Sequence, residues 1–486
     1  MAISRPGGVV AVRTPLSSSA LAPLVGGLAI ALGLAILLVG PFWIGAATLG
    51  LAAVAIILRS PYVGLLGYLA IEYIRPGEMF PTLGAAHVQR LAGLVLLGSV
   101  AMLQVIRELR RRSRIGVAEA PPLISADSQS LALLALLGVM FASVATAHWR
   151  YVSLASAIEF AKIVLAYFLI LYLVRGQRQA RHLLWLFAAI VGWHAAWAVH
   201  GYLTGSSVTF AQNMYRATGP NTLLGEPNAL ASLLASATPI MAYLALAERS
   251  RLLKLVAVSL VLVAVWGVVF TASRAGVLAL AGVALYVVLN SRRRILVLGM
   301  LAAVAALVWL AMPQDNRDRI LSIARYEQDA SALGRLQAWA AARKMFADRP
   351  LLGVGVGGFM AAHGDLYSPA SVPSYLDSHS LFYQVIAEIG LLGLIAFTTF
   401  MALVVRNQVR ARRLLNRLSA RRGHAYLMLI ALGGSLLSLL IAGISGHNLF
   451  RFTYYLIAAL TVVYLREAQA TAAASPVAAV EPEPES

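Results

Sequence analysis

The sequence contains no cysteine and few acidic residues. Of its 486 residues none is Cys, 20 are Asp or Glu, and only 12% are charged. The absence of cysteine excludes a disulfide framework and a thiolate metal site. Soluble domains carry about 25% charged residues, so this charge content excludes an ordinary soluble domain. Apolar residues make up 60% of the chain and the mean hydropathy is +0.78, which is typical of a polytopic membrane protein.

The excess of positive charge, +19 in total, lies in short runs between apolar segments rather than in one continuous stripe. This distribution argues against nucleic acid as a partner and indicates membrane topology. Most of the 39 Lys and Arg residues fall in alternate connections, which the positive-inside rule assigns to the cytoplasm. We therefore predict an even number of spans, with both termini in the cytoplasm.

Fourteen segments are apolar and long enough to be candidate spans, for which about 20 residues are needed. They lie near 20–40, 42–58, 61–75, 88–106, 130–148, 152–174, 182–203, 225–247, 253–271, 275–291, 295–312, 379–405, 424–445 and 447–465. The third and the tenth are short, so twelve full spans plus two half-spans is an open alternative. The predicted fold class is an all-α polytopic membrane protein.

The domain organisation follows from these spans. We predict a cytoplasmic N-terminal segment at 1–19, a membrane domain at 20–466, and a cytoplasmic tail at 467–486. The tail is small, acidic and Pro-containing, which is typical of disorder. The one long connection, 313–378, lies on the outer side.

Within that long connection the sequence predicts a helix at the membrane interface. Leu333, Leu336, Trp339 and Phe346 recur at helical spacing, with arginine and lysine interleaved. Pro350 is expected to end this helix. The glycines of LLGVGVGGF have neither a preceding strand nor a following helix that would make them a nucleotide site, so they predict a tight turn back to the membrane.

Four polar residues on the outer side are the candidates for chemistry: Arg216, Arg274, Arg335 and His379. Arginine makes bidentate contacts with phosphate oxygens and stays charged, so two or three together can neutralise a diphosphate without a metal. Carboxylates with metal-ligand spacing are not evident in the sequence, and we expect neither a metal nor a cofactor. A histidine with a pKa near 6.5 is suited to accept a proton from a sugar hydroxyl.

Simpler interpretations stay open for several of these residues. On spacing alone, His379 is more simply an ordinary histidine at the start of a helix and at a headgroup boundary. Arg75, Arg150 and Arg451 are more simply arginines that reach the headgroups. Glu159 and Lys162 are expected to form an ion pair within one helix. Gly390 and Gly393 are expected to form a small-residue face for close helix packing.

The sequence resembles the O-antigen ligase and polymerase superfamily of bacterial inner-membrane proteins over roughly 216–466. The family motif of His, then Asn, Ser or Gln, nine residues and Gly-x-x-Gly is matched by His379, Ser380, and Gly390 to Gly393. The family's loop region is similar to Gly334-Arg335 with Trp339, and to Pro350 with the Gly353–Phe359 turn that follows it. Two more segments are similar to parts of the family. Ser273-Arg274-Ala275-Gly276 is similar to its arginine turn, and Arg216 with Gly219 and Pro227-Asn228-Ala229 is similar to its upstream arginine segment.

This resemblance implies transfer of a glycan from undecaprenyl diphosphate at the periplasmic face. The acceptor would be lipid A–core, a protein or another lipid-linked glycan, and the anomeric carbon would be inverted. His379 would act as the base or position the acceptor, and Arg216, Arg274 and Arg335 would bind the diphosphate.

Two other functions remain as alternatives on the sequence alone. One is a transporter or flippase of a polyisoprenoid-linked saccharide, although no internal repeat typical of transporters is evident. The other is a non-catalytic scaffold, which would have no use for outward arginines. The first 150 residues and the YIRPGEMFP segment that holds Arg75 have no assigned role.

Overall fold

The structure is a computed structural model. It describes residues 41–80, 83–84, 87–112, 123–124, 126–211, 214–321, 330–368, 374–418 and 423–474. The predicted first span at 20–40, the N-terminal segment and the last residues of the tail lie outside the described residues.

Helices make up almost all of the described regular structure. In chain order they are α1 Pro41–Arg59, α2 Pro61–Ile74, α3 Pro76–Met79, α4 Val88–Arg112, α5 Ser128–Thr146, α6 Arg150–Leu173, α7 Gly176–Thr204, α8 Pro227–Ala247, α9 Arg251–Phe270, α10 Arg274–Asn290, α11 Arg294–Ala311, α12 Gln314–Leu321, α13 Ala330–Asp348, α14 Phe359–Ala362, α15 Leu381–Arg417, α16 His424–Gly443 and α17 Phe452–Ala473. A π-helical turn at His363–Tyr367 follows α14. A helix is therefore present at each of the thirteen predicted spans from 42–58 onward.

Nine of the described helices are long and apolar enough to cross a membrane: α4, α5, α6, α7, α8, α9, α11, α15 and α16. The predicted shortness of the third and tenth spans is confirmed, because α2 has 14 residues and α10 has 17. α17 continues to Ala473, beyond the tail boundary predicted at Arg466. The architecture is that of a polytopic α-helical membrane protein.

One hairpin departs from the all-α prediction. β1 Val208–Ala211 pairs with β2 Met214–Ala217 in antiparallel register, with Thr209 opposite Arg216. Side chains alternate across a strand, so Arg216 is buried while Tyr215, its neighbour, is exposed. The hairpin thus turns the Arg216 side chain toward the helices.

The core forms around α8 and α17. α8 packs against α7, α9, α10 and α16, and α17 packs against α6, α15 and α16. α1, α2 and α4 contact one another in a separate group that meets α6 and α7 through α2. The arrangement places the connections before α8, α10, α15 and α17 side by side.

The helix of the long connection is confirmed, and the residues that it buries against the protein are not those of the apolar stripe predicted to lie at the membrane interface. Leu333 and Leu336 are 47% and 48% exposed. The buried positions are instead Ala338, Ala341, Ala342 and Met345, which pack against Val354, Phe359 and Ala387. Small alanines allow α13 to lie close to the following turn, and a search for large apolar residues overlooks them. α13 ends at Asp348, two residues before Pro350.

Candidate active site

Three arginines line one cavity of about 170 Å³. Arg274 begins α10, Arg319 lies on α12 and Arg335 lies on α13. Asn228 of α8 and Ser445, after α16, complete the polar lining. Two of the three predicted phosphate ligands, Arg274 and Arg335, therefore reach one cavity, together with an arginine that the sequence did not single out.

Arg216 stands directly behind that cavity. Its Nε donates to the carbonyl of Thr271 at 2.8 Å, and a terminal nitrogen donates to Oδ1 of Asn228 at 3.0 Å. Ser273 donates to the same Asn228 oxygen at 2.9 Å. Burial lowers the pKa of Arg216 to about 10, and the charges of Arg319, Arg335 and Arg274 act in the same direction. Arg216 remains a cation at neutral pH and orients Asn228, which the cavity exposes.

A second, smaller cavity adjoins the first. It shares Asn228, Ala275 and Ser445 with the arginine cavity. Glu226, His447 and Arg451 supply its other charged and titratable lining groups. The expectation that Arg451 faces the headgroups is wrong, because its side chain lines this cavity and donates to the carbonyl of Leu223 at 3.1 Å.

Three helix N-termini point toward these two cavities. Asn228 is the second residue of α8, Arg274 the first of α10, and Arg451 immediately precedes α17. A helix N-terminus carries partial positive charge and favours anions, so a cation there opposes the helix dipole. Arginines at two such ends raise the local positive potential further, which suits a ligand that carries several negative charges.

His379 lies beside the second cavity, two residues before α15. The centroid of its ring is 5.8 Å from that of His447, and Nε2 of His447 is 3.7 Å from Oδ2 of Asp377. The backbone of His379 has φ +45°, a conformation that L-residues rarely adopt. The two imidazoles and one carboxylate form a titratable group next to the arginines.

Trp339 of α13 holds the His379 segment in place. Its Nε1 donates to the carbonyl of Ser378 at 3.0 Å, and its ring stacks on Tyr383 with centroids 5.1 Å apart. Ser378 in turn donates to the carbonyl of Ser380 at 3.2 Å. α13 is therefore a structural support of the histidine, in addition to bringing Arg335 to the cavity.

The surroundings of His379 favour its neutral form. Burial lowers the pKa of its imidazole, and His447 lowers it further, whereas Glu226 and Asp377 act in the opposite direction. A base must be unprotonated to accept a proton. At neutral pH the ring is therefore ready to act as a proton acceptor.

Gly390, the first glycine of the Gly-x-x-Gly motif, has a different role from the predicted packing face. Gly390 has φ +64° and ψ −160°, which breaks α15 at this residue. The backbone of Pro350–Gly355 fills the break: Leu391 N–H donates to the Pro350 carbonyl at 2.8 Å, and Val354 N–H donates to the Ala387 carbonyl at 2.9 Å. A Cβ on Gly390 would overlap the Leu351 backbone, so this glycine permits backbone contact rather than helix packing.

The predicted turn at 353–359 is confirmed, and it is anchored on the same helix. Gly353, Gly355 and Gly357 all have positive φ. The buried carboxylate of Glu388 accepts hydrogen bonds from the backbone N–H groups of Gly357 and Phe359. This loop thus couples α13 to α15 at the level of the break.

Of the predicted site residues, Arg274 and Arg335 share a cavity, Arg216 bonds to a residue that lines it, and His379 lies next to the adjoining cavity. Ser380 is the N-cap residue of α15, and Gly393 is buried one turn after the break. Arg319, Glu226 and the importance of His447 were not recognised in the sequence, and Arg451 was expected to reach the headgroups. His447 and Arg451 lie in the same connection, between α16 and α17, which is a signal that could have been used, whereas Arg319 lies in the mixed charge pattern DNRDRI and gives none.

Comparison with known proteins finds a similarity to one protein family and to solved structures. The sequence profile described as O-antigen ligase matches residues 258–398, a range that holds Arg274, Arg335, His379 and the helix break at Gly390. No curated protein matches the sequence. Among solved structures, one described as "Structural coordination of polymerization and crosslinking by a peptidoglycan synthase complex" matches with a TM-score of 0.40 and 16% identity. The match covers 70% of this chain and 97% of the other.

Proposed function

We propose that this chain, whose residues 258–398 match the sequence profile described as O-antigen ligase, transfers a glycan from undecaprenyl diphosphate to an acceptor hydroxyl. The reaction takes place at the periplasmic face of the bacterial inner membrane. The observation that carries the proposal is the meeting of Arg274, Arg319 and Arg335 in one cavity beside the His379–His447 pair.

The donor's diphosphate occupies the arginine cavity. Its negative charge increases as the glycosidic bond breaks, so guanidinium groups placed there stabilise the transition state more than the ground state. Arg274 and Arg335 contact the phosphate oxygens, and Arg216 holds Asn228 in position. We expect this neutralisation to work without a metal ion.

The acceptor hydroxyl is activated by His379. Its oxygen attacks the anomeric carbon, its proton passes to the neutral imidazole, and the undecaprenyl diphosphate leaves with the electron pair of the broken C–O bond. A single displacement of this kind inverts the anomeric carbon. His447, with Asp377 close to its Nε2, provides a polar neighbour for the protonated ring.

A transporter or flippase of the same lipid-linked saccharide is a weaker candidate. Broken helices are typical of transporters, where unwound backbone groups bind the coupling ion. In α15, however, the carbonyls of Ala387 and Glu388 accept hydrogen bonds from Val354 and Gly355, and so are already engaged. The break therefore serves as a contact between α15 and the 350–355 segment and not as an ion site.

The test is transfer by purified protein in lipid nanodiscs, with a lipid-linked glycan donor and a matching acceptor. We expect wild-type protein to form product and His379→Ala to lose activity by a factor of about 100 to 10,000, the usual contribution of a general base. His363→Ala is the control, because His363 is buried with its Nδ1 against the carbonyl of Ser374, away from both cavities. Undiminished transfer by a correctly inserted His379→Ala protein contradicts the proposal.

Ligase and polymerase activities differ in the acceptor, and cells that lack the gene distinguish them. A polymerase is indicated if single repeats persist on the acceptor while long chains disappear. A ligase is indicated if long chains accumulate on the carrier lipid. Unchanged glycans in such cells would contradict both.

A further inference from the structure

A groove of about 400 Å³ lies on the far side of Arg451 from the arginine cavity. It runs between α2, α6 and the start of α17. Arg451 lines both this groove and the cavity that holds His447. The groove therefore adjoins the cavity that holds His447 through one shared side chain.

The outer rim of the groove is held in a strained conformation. Arg75 ends α2 with φ +52°, the left-handed conformation. Asn221 donates to the carbonyls of Tyr73 and Ile74 at 3.0 and 3.2 Å. Glu78 accepts from the backbone N–H of Thr222 at 2.6 Å and bonds to Arg75 at 2.9 Å. Strain retained by surrounding bonds is found preferentially at ligand sites, and here it fixes Arg75 at the mouth of the groove.

The groove contains an ion pair within a membrane-spanning helix. Nζ of Lys162 lies 2.5 Å from Oε2 of Glu159, which confirms the pair expected from the sequence. Both side chains nevertheless remain more than half exposed, at 54% and 63%. A charged pair turned toward lipid is costly, and such residues normally face a polar cavity. Both residues line the groove, so this wall is polar.

The other lining groups restrict the chemistry of the ligand. Glu72 adds a second carboxylate, while Tyr68, Phe450 and Phe452 add aromatic rings. An unbranched hydrocarbon chain would desolvate the ion pair without replacing its contacts with water. The charges of the lining are mixed, with Arg75, Lys162 and Arg451 beside Glu72 and Glu159, so a ligand of one sign would meet like charges on part of the wall. A saccharide fits both features, because its hydroxyls both donate to carboxylates and accept from cations, and its C–H faces pack on aromatic rings.

We propose that this groove binds the saccharide of the acceptor and presents its hydroxyl past Arg451 to His379. The inference rests on the proposed function and extends it, since it places donor and acceptor on opposite sides of the His379–His447 pair. Two acceptors share this chemistry: the core saccharide of lipid A and the glycan of a second lipid-linked repeat.

The first test separates acceptor binding from donor binding by kinetics. Replacement of both charges, Glu159→Leu with Lys162→Leu, suits a membrane helix and keeps the fold, because an apolar pair of similar size replaces a paired charge without loss. We expect the KM for the acceptor to rise about tenfold or more, as for lost hydrogen bonds to charged groups, with an unchanged KM for the donor. Ile158→Ala is the control, on the same helix but outside the groove.

The second test does not depend on turnover. The delipidated saccharides of the two acceptors, released by mild acid, are titrated onto the full-length protein in nanodiscs and followed by saturation-transfer NMR. We expect one of them to bind wild-type and Ile158→Ala protein, and to bind the double leucine variant at least tenfold more weakly. The saccharide that binds identifies the acceptor.

The results distinguish failure of this inference from failure of the proposed function. If wild-type protein transfers glycan and the double leucine variant has an unchanged acceptor KM, the groove proposal is overturned and the transferase proposal stands. If wild-type protein forms no product, the binding titration still decides the groove. Equal saccharide binding by wild type and variant, or tighter acceptor binding by the variant, overturns the proposal in favour of a hydrocarbon chain in the groove.

Discussion

Three of the four non-glycine residues with positive φ among the described part of the chain lie at or beside the cavities. Ala272 lines the arginine cavity, Arg75 lines the groove, and His379 lies next to His447; the fourth is His87. Each such conformation costs about 1–3 kcal/mol and persists only where surrounding contacts enforce it. Their positions independently indicate where the molecule places its functional side chains.

Removal of a guanidinium from the cavity should weaken donor use. A charge-assisted hydrogen bond contributes about 1.5–3 kcal/mol, so Arg274→Ala is expected to lower kcat/KM for the donor by roughly 10- to 100-fold. Arg274→Lys should recover part of this loss, because lysine keeps the charge but not the planar fork. Steady-state kinetics with varied donor measures both. Equal activity of all three proteins would show that Arg274 does not contact the diphosphate.

The pH dependence of the reaction should report the lowered pKa of His379. Because burial and His447 hold this pKa below its usual 6.5, the neutral base persists into mildly acidic solution. We expect kcat/KM to stay level near pH 7 and to fall below pH 6.5 as the ring is protonated. Asp377 raises this pKa, so Asp377→Asn should move the acid limb to lower pH. A movement to higher pH would contradict the assignment.

At the scale of elements, α15 and the turn that fills its break form one unit. Sequence reasoning found both glycines of the motif but explained Gly390 by helix packing, because spacing within an apolar run does not reveal a change of backbone direction. The contacts that satisfy the break come from Pro350 to Gly355, some 40 residues earlier. Only a long-range pairing of this kind explains why glycine is needed.

Gly390→Ala should destabilise the protein strongly. The backbone of Gly390, at φ +64° and ψ −160°, lies in a region that is essentially restricted to glycine and costs other residues about 1–3 kcal/mol. The added Cβ would also overlap the Leu351 backbone. Gly138→Ala is the matched control: it lies within α5 with no atom within 4 Å of an added Cβ, and the helix should gain up to about 1 kcal/mol. Thermal midpoints in detergent compare the two. A midpoint for Gly390→Ala at or above wild type would contradict the broken helix.

Loss of the Glu388 carboxylate should loosen the turn without moving the cavities apart. Glu388→Ala removes the acceptor of the Gly357 and Phe359 N–H groups, whereas Glu388→Gln retains one oxygen. Hydrogen exchange followed by mass spectrometry should show faster exchange at 353–359 in the alanine variant and an intermediate rate in the glutamine variant. Exchange at wild-type rate in both would show that the carboxylate does not anchor the turn.

At the scale of the whole molecule, apolar runs predicted the helices well. A helix is present at each of thirteen predicted spans, since length and hydropathy dictate this local outcome. The β1–β2 hairpin and the place of Arg319 and Arg451 could not be predicted, because they depend on which connections meet in space. Arg216, Arg274 and Arg335 were candidates because they are arginines in connections that are all predicted to lie on one side of the membrane. Whether these arginines meet at one site depends on the packing of α8, α10, α13 and α17.

The predicted topology can be tested directly because the chain has no cysteine. Single cysteines in place of Gln337 on α13 and Arg410 on α15, both exposed, should fall on opposite sides of the membrane. An impermeant thiol reagent added to intact inner-membrane spheroplasts should label the first and spare the second. The reverse pattern would place the active site in the cytoplasm.

The proposed function depends most on where the donor's diphosphate binds. The most direct measurement is an experimental structure of the protein with bound undecaprenyl diphosphate, in which the phosphorus positions are located. We predict that both phosphates lie between Arg274 and Arg335, with the side chain of Asn228 beside them. Phosphates bound at another surface, with the arginine cavity empty, would contradict it.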